Sequence, residues 1–531
     1  PPIPAVIYLR NLREKYHWHT DLQELEPVIG EFDDPFRQAQ GLLTLPFSRK
    51  GNALVYGATG GGKTTLLNTL LYGLLSDYGA DRLHIYLVDL GEETLRAFEQ
   101  APQVGGVLFS GEEERVANLF KLLQAELARR KKLLAEDDGD YRRYGQRTGT
   151  PVPHILVVIR NYAAFAEQFE NLEDALLRLT REGSKYGIYF LLTANSANAV
   201  RYRLTQNFAQ TFALQLNDRA DYISLLDGTD GVYPSKLKGR GVFKTDRTYE
   251  FQTAHMAPED DPTAIRAFAA ALAEGAEAFA PPVPSLPEHV TPETFPGPVT
   301  LEAFPVGVEK TSLRPAVLDL SRGVVTFLLG RDADDLSSTA QGFVRMLRRI
   351  EGLPVTVLDG AAFFPAGEEE RLCQSGFEPW VEELFQEMVR RNNTYKTAAN
   401  EGRPLPVFDP QCYVITGIGT ILEGLDEAGR DKLRTLLEKA EVSYGIHFLL
   451  CDSAKDMAAH TGEPWYRRQV RPGEGIWAGD GISDQNVLKP SKLGREHFAE
   501  LPPHFGYLLR RGKTTLVKLL EAEGTEGGEA E

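Results

Sequence analysis

Short apolar runs separated by amphipathic stretches recur along the whole chain. Asn52-Ala53-Leu54-Val55-Tyr56, Leu83–Asp89, Ile155–Ile159 and Ile188–Leu192 are near-continuous runs of β-branched, leucine and aromatic residues. Such runs suit strands buried on both faces. Helical patterns lie between them, one from Thr64 to about Leu75 and another with Val116, Leu119, Phe120, Leu123 and Leu127 on one face. Ser110 and Glu113 read as a capping box opening that second helix. Its far end carries Arg129-Arg130-Lys131-Lys132, and since cations suit a helix C-terminus, this reads as a solvated helix end. Upstream, Ile29-Gly30-Glu31-Phe32-Asp33-Asp34-Pro35 reads as loop and turn. The alternation predicts an α/β fold with a mainly parallel sheet flanked by helices.

Residues 276–298 concentrate proline, including Pro281, Pro282, Pro284, Pro287, Pro292, Pro296 and Pro298. Such a stretch carries neither regular helix nor central strand. It sets domains at 1–280 and 281–531, with a linker at about 276–300. After it the pattern restarts. Tyr186-Gly187-Ile188-Tyr189-Phe190-Leu191-Leu192 returns as Tyr444-Gly445-Ile446-His447-Phe448-Leu449-Leu450, at an offset of 258. Pro234-Ser235-Lys236-Leu237 returns as Pro490-Ser491-Lys492-Leu493, at an offset of 256. The strand ending at Asp89 has a counterpart ending at Asp359, at an offset of 270. Loop insertions and deletions produce drift of this size, so the chain reads as a tandem duplication of one α/β unit.

Composition narrows the class. With 531 residues, 42% hydrophobic and 25% charged, the chain is not mostly disordered. No apolar run approaches the ~18 to 20 residues that cross a bilayer, and no basic-then-apolar leader opens the chain. The start at Pro1, without Met, reads as a piece of something longer, whose membrane anchor, if any, lies elsewhere. The net charge of −17 weighs against a nucleic-acid partner, because phosphate neutralisation calls for a basic surplus. Cys373, Cys412 and Cys451 lie far apart and read as buried strand cysteines. The acidic stretch Glu521–Glu531 reads as disordered.

The chemistry begins at Gly57-Ala58-Thr59-Gly60-Gly61-Gly62-Lys63-Thr64, which fits GxxxxGK[ST] between a strand and a helix. The glycines let consecutive N–H groups turn inward and cradle an anion at the helix N-terminus. Lys63 would reach the β- and γ-phosphates and the Thr64 hydroxyl would bind Mg²⁺, with Thr65 completing the expected ATP site. Hydrolysis needs a later strand ending in an acid that holds the metal, often with a glutamate to position water. The strand placed to supply them ends Arg160-Asn161, so both acids are missing. At about 5 Å from a divalent ion and an effective dielectric near 20, a guanidinium is repelled by roughly 6 to 7 kcal/mol before screening. Arg160 therefore points onto a carboxylate or toward the phosphates. Asp89 and Glu92 could replace the missing acids, and Asp89 reads equally well as a strand-end turn residue.

The second unit's loop runs Gly330-Arg331-Asp332-Ala333-Asp334-Asp335-Leu336-Ser337. Three carboxylates replace the cradle and would repel a triphosphate. Its later strand, Tyr413–Gly417, lacks acids too. An arginine donated across an interface commonly serves such motors, and Arg219 is the candidate, against the plainer reading of a surface arginine. Trp465-Tyr466-Arg467-Arg468 reads as ordinary surface or core rather than a stacking platform.

The loop Tyr56–Thr65, the Ile29-Gly30…Asp33-Asp34-Pro35 lead-in and the Tyr-Gly-Ile strand resemble FtsK/SpoIIIE-type ATPases. A tandem array with a degraded last copy is similar to the last two ATPase domains of the membrane-anchored motor of bacterial type VII secretion, the EccC/EssC family. The resemblance implies two RecA-like P-loop NTPase domains at the cytoplasmic face of the bacterial membrane. This piece would be soluble and cytosolic, with membrane contact only through a missing N-terminal part. It implies ATP and Mg as cofactors, and partners among secreted WXG100-type proteins with a C-terminal export signal, other ATPase domains of the same chain and secretion-apparatus subunits. A hexamer is implied at full length. The first domain would bind ATP, with slow or absent hydrolysis, and the second would dock substrate or regulate. Arg160 departs from the family, where an aspartate is usual. The alternatives are a DNA translocase of the same class and a nucleotide-free scaffold.

Overall fold

A computed structural model of the chain describes residues 2–367 and 370–523. It forms two compact units that divide after Ser285. In the first, β1 (Val28–Asp34) and β2 (Ala39–Thr44) precede β3 (Ala53–Tyr56), β4 (Leu83–Asp89) and β5 (Val104–Phe109). The remaining strands are β6 (His154–Arg160), β7 (Ile188–Ala194), β8 (Gln210–Ala213), β9 (Arg240–Lys244) and β10 (Thr248–Thr253). All ten share one sheet in the order β2-β1-β10-β9-β8-β3-β7-β6-β4-β5. The stretch from β8 to β5 is parallel, and the β9, β10, β1 and β2 side is antiparallel. Alternate residues of the parallel strands feed cores on opposite faces. Ile85 and Leu87 pack with Leu66, Leu70 and Leu74 on one side, while Tyr86 and Val88 pack with Leu119, Leu123 and Leu127 on the other. This two-sided burial explains why the strands read as unbroken apolar runs.

The second unit repeats the arrangement strand for strand. Its strands are β11 (Phe304–Glu309), β12 (Pro315–Leu318), β13 (Val325–Gly330), β14 (Val355–Asp359), β15 (Leu372–Cys373), β16 (Gln411–Thr416), β17 (Ile446–Ser453), β18 (Gly475–Ala478), β19 (Phe505–Arg510) and β20 (Lys513–Leu519). Their order, β12-β11-β20-β19-β18-β13-β17-β16-β14-β15, is that of the first unit with ten added to every label. The fold is two tandem α/β domains. All three cysteines are free and buried.

Several local expectations need correction. The 29–35 segment is strand β1, paired on both sides. Gly30 follows a bulge against β2, and a Cβ there would lie 2.1 Å from the Gln252 carbonyl oxygen. Gly307 follows the matching bulge in β11, with the Lys518 carbonyl 2.2 Å from its Cβ position. A glycine required by close backbone approach looks like a turn signal in the sequence. The long helix begins at Glu113 after a Glu112 N-cap that makes no side-chain cap. The Ser110 hydroxyl instead accepts from Gln168. Glu521 is buried at 1% exposure, facing His289 and His504, so it is not part of a disordered tail. Residues 524–531 lie outside the described residues. Trp465 and Tyr466 are core.

The basic run at 129–132 is also not simply solvated. Arg130 is 1% exposed, and its guanidinium donates to Glu126 at 2.8 Å and to the carbonyls of Tyr186 and Pro153 at 2.8 and 2.6 Å. These carbonyls lie just before β7 and β6, so the arginine ties the helix Glu113–Leu133 to the N-terminal edge of the sheet. The second unit does the same with Arg391, which donates to Glu387 at 2.7 Å and to the Asp409 and Tyr444 carbonyls at 2.8 and 2.6 Å. Removing either guanidinium strands a carboxylate and two carbonyls. Arg130→Met and Arg391→Met are each expected to destabilise their own unit by about 3 kcal/mol, read by urea unfolding with hydrogen exchange to assign the unit. A loss near zero would show that water replaces the guanidinium.

Candidate functional site

The segment Gly57–Gly62 connects β3 to the 15-residue helix Lys63–Asp77. Gly60 and Gly62 take φ values of 80° and 108°, which favour glycine. A Cβ on Gly62 would lie 2.7 Å from the Gly239 nitrogen, while one on Gly60 would meet open space. The helix N-cap is Gly62, which has no side chain to accept from the first turn. The leading N–H groups thus lack intrahelical acceptors and face an anion-sized opening, the arrangement that cradles phosphate. The Lys63 ammonium donates to the Gly57 and Ala58 carbonyls. Burial pulls its pKa down, Arg160 adds to the effect, and Glu92 opposes it. Thr64 and Thr65 follow in the first helical turn.

A cavity of about 410 Å³ opens over this loop, lined among others by Lys63, Thr64, Glu92, Arg160, Asn195 and Lys238. Lys63, Arg160 and Lys238 carry positive charge there, and Glu92 is the one carboxylate among its lining residues. β7 separates β3 from β6, so the end of β6 stands across from the loop's threonine. Arg160 ends β6 with its side chain 9% exposed. One terminal nitrogen donates to the Thr64 hydroxyl at 2.9 Å and approaches Glu92 at 3.4 Å. The other donates to the Thr94 hydroxyl at 2.6 Å and approaches Asp89 at 3.5 Å. Both directions left open for Arg160 are therefore present, toward carboxylates and into the phosphate site.

The residues present do not fit the magnesium ion expected on Thr64. That hydroxyl already accepts from a guanidinium. Asp89 is fully buried, and its oxygens accept the N–H groups of Gly91 and Leu95 at 3.1 and 3.0 Å. No cluster of three or more His, Cys, Asp or Glu side chains suited to a metal occurs among the described residues. The counterpart of Asp89 is instructive. Asp359 accepts from Phe363 and Phe364 N–H at 2.9 and 3.0 Å, and from the Thr416 hydroxyl at 2.6 Å. Both aspartates fasten the turn after their strand, including in the unit that has no phosphate loop. The geometry supports the turn reading of Asp89.

Asn161 takes φ 67° and accepts from the Ala164 N–H at 3.4 Å as N-cap of the next helix. Gly417 holds the same place in the second unit with φ 60°. A left-handed backbone explains why asparagine stands there rather than glutamate. Arg219 is exposed, lies outside the cavity, and stacks over Tyr233 at 4.7 Å.

Sequence reasoning missed Lys238, Thr193, Thr94 and Asn195. Lys238 carried a signal: it directly follows the repeated Pro-Ser-Lys-Leu segment, and the residue after it, Gly239, donates to the Gly61 carbonyl at 3.1 Å. In the second unit Leu493 is followed at once by Gly494, with no such lysine.

That second unit has lost the cradle outright. β13 ends at Gly330 and the next helix begins at Ala333, so residues that would form the loop wind into the helix instead. Asp334 and Asp335 sit in its first turn. Burial and the neighbouring Asp332, Asp480 and Asp334 push the Asp335 carboxyl up. At the ends of β16 and β17 a separate cavity of about 630 Å³ is lined by Gly417, Arg430, Arg434, Asp452, Lys455 and His460, among others.

Residues 8–227 match the FtsK/SpoIIIE family. That match lies within the first unit and includes the glycine loop. The type VII secretion system protein EssC of Staphylococcus aureus (strain NCTC 8325 / PS 47) is 27% identical over 333 residues, 58% of this chain and 22% of that protein. The ESX secretion system protein EccC of Geobacillus thermodenitrificans (strain NG80-2) is 22% identical over 531 residues, 93% of this chain and 34% of that protein. The chain thus spans about a third or less of these relatives. Among solved structures, EssC ATPases 2 and 3 from Geobacillus thermodenitrificans superpose with a TM-score of 0.82 at 18% identity, covering 98% of this chain and 100% of that one. Thermomonospora curvata EccC ATPases 2 and 3, in complex with a signal sequence peptide, match with a TM-score of 0.57 at 21% identity, covering 99% and 100%. These likenesses establish the tandem ATPase-type fold. No helix among the described residues is long and apolar enough to cross a membrane.

Two outcomes are expected. Asp89→Ala leaves the buried Leu95 N–H and the partly buried Gly91 N–H without their acceptor and should cost about 1 to 3 kcal/mol of stability, read by urea unfolding, whereas Asp89→Asn, which keeps an acceptor, should cost less. In the second unit, burial and the nearby Asp456 raise the Asp452 pKa from 3.8 to about 6. Its folded pKa lies above its unfolded one, so its stabilising contribution is full below about pH 4 and is lost as pH rises through 6. Unfolding free energy should fall across that window by up to about 3 kcal/mol, and Asp452→Asn should flatten the slope.

Proposed function

We propose that this chain is a nucleotide-binding module of a type VII secretion motor. Its first unit takes up ATP, and its second serves as a docking or regulatory domain for exported WXG100-type proteins. The observation that carries the nucleotide half is the glycine cradle with three cations and one carboxylate around it. Lys63 turns from the Gly57 and Ala58 carbonyls to the β- and γ-phosphates. The N–H groups of Lys63, Thr64 and Thr65 hold their oxygens, and the Thr64 hydroxyl donates to them. With Arg160 ending β6 and Asn161 following it, β6 supplies no carboxylate to activate water, so ATP acts as a bound ligand more than as fuel. The secretion half rests on the EssC and EccC relatives. The docking role draws on the Thermomonospora EccC ATPases 2 and 3 in complex with a signal sequence peptide. It also fits the second unit, which keeps the fold while the cradle is gone.

Calorimetry on the whole chain tests the first half. ATP should bind one to one, Lys63→Ala should weaken binding by about tenfold or more, and phosphate release should stay at background in both proteins. Release that depends on Lys63 would instead mean that a residue outside β6 supplies the base. A fluorescent peptide carrying the C-terminal export signal of a WXG100-type protein tests the second half. Saturable binding is expected, and its absence with and without ATP would refute the docking role.

A further inference from the structure

The end of β6 holds a cation, and that cation is covalently part of the protein. We propose that the Arg160 guanidinium takes the place of magnesium in the first unit, so that this site binds the metal-free nucleoside triphosphate. The inference rests on the reading that the first unit binds ATP.

Three observations carry it. First, the position: Arg160 donates to the Thr64 hydroxyl at 2.9 Å, the oxygen that holds the divalent ion in a P-loop site. A hydroxyl that accepts from a guanidinium still has its own hydrogen to give to phosphate. Second, the anchoring: the other terminal nitrogen is held by Thr94 at 2.6 Å and faces buried Asp89 at 3.5 Å. The guanidinium is therefore fixed before any ligand arrives. Its partner on the cavity side is Glu92, whose side chain is 69% exposed. A phosphate displaces that carboxylate into water without stranding a buried charge. Third, the donor set: the Asp89 carboxylate is committed to Gly91 and Leu95, and β6 brings no acid. A divalent ion entering beside Arg160 would meet like charge, and the buried carboxylate nearby, Asp89, is already matched by Arg160 and two backbone N–H groups.

A planar guanidinium suits this task because it can give two parallel hydrogen bonds to phosphate oxygens. With Lys63 and Lys238 it sets three fixed positive charges against a triphosphate. Asp89 then acts as a positioning residue for Arg160 and never touches the ligand.

The test is ATP titration of the whole chain by calorimetry, once in EDTA and once in excess Mg²⁺. Wild type is expected to bind in EDTA at least as tightly as in Mg²⁺. Arg160→Met should lose about tenfold or more in EDTA. Arg160→Asp should reverse the preference and bind about tenfold or more tightly with Mg²⁺ than without it. Circular dichroism and the urea midpoint confirm that each variant is folded, and Arg160→Lys, which keeps charge but not the fork, serves if the aspartate variant is not. Its affinity in EDTA should fall between those of wild type and Arg160→Met. Wild-type binding about tenfold weaker in EDTA than in Mg²⁺, or an Arg160→Met variant that binds like wild type in EDTA, would overturn the inference while leaving ATP binding intact. Wild type that binds under neither condition would overturn the ATP reading itself.

Discussion

Asp89 ends β4 with no solvent contact, and its two oxygens accept the N–H groups of Gly91 and Leu95. A carboxylate buried this far must be matched by donors, because its desolvation is otherwise uncompensated. The register places the last residue of the neighbouring strand directly beside it, Arg160 of β6 in the first unit, and likewise Thr416 of β16 beside Asp359 in the second. Each is a donor. The turn after β4, the lining of the cavity and the charge facing Thr64 all follow from that match. With threonine in the place of arginine, as in the second unit, the turn is kept and the cation is not.

The two copies show which constraints survived duplication. Strand order, the strand-end aspartate, the bulge glycine of the first strand and the buried helix arginine recur in both. The glycine loop does not, and neither does the lysine after the Pro-Ser-Lys-Leu segment. Features that recur serve the sheet and its turns. Features confined to the first unit converge on one cavity. The sheet and its turns and the lining of that cavity thus draw on largely different residues, joined at Arg160, and the second copy carries only the first group.

Much of this was legible in the sequence, and the failures share a cause. Buried parallel strands announce themselves as apolar runs, and the GxxxxGK[ST] spacing needs its backbone, so β3, β4, β6, β7 and the cradle could be read directly. The 29–35 segment could not, because a glycine demanded by the neighbouring Gln252 carbonyl looks like a glycine demanded by a turn. Arg130 misled for a similar reason. Its neighbours Arg129, Lys131 and Lys132 are surface cations, and only the tertiary position of Tyr186 and Pro153 sets it apart. Three-dimensional pairing likewise favours the turn role of Asp89, for which the sequence allowed two roles.

The contact between Gly62 and Gly239 has a mechanical meaning. The phosphate loop rests against the backbone that leads into β9, so close that Gly62 has no room for a methyl group. β9 and β10 belong to the antiparallel side of the sheet, which runs on to β1 and β2. The loop's rear wall is thus built from chain more than 170 residues downstream of it, and its stiffness is that of the strands behind that wall. An insertion or a loosened hairpin at 238–248 would soften the cradle without altering a single residue of the motif.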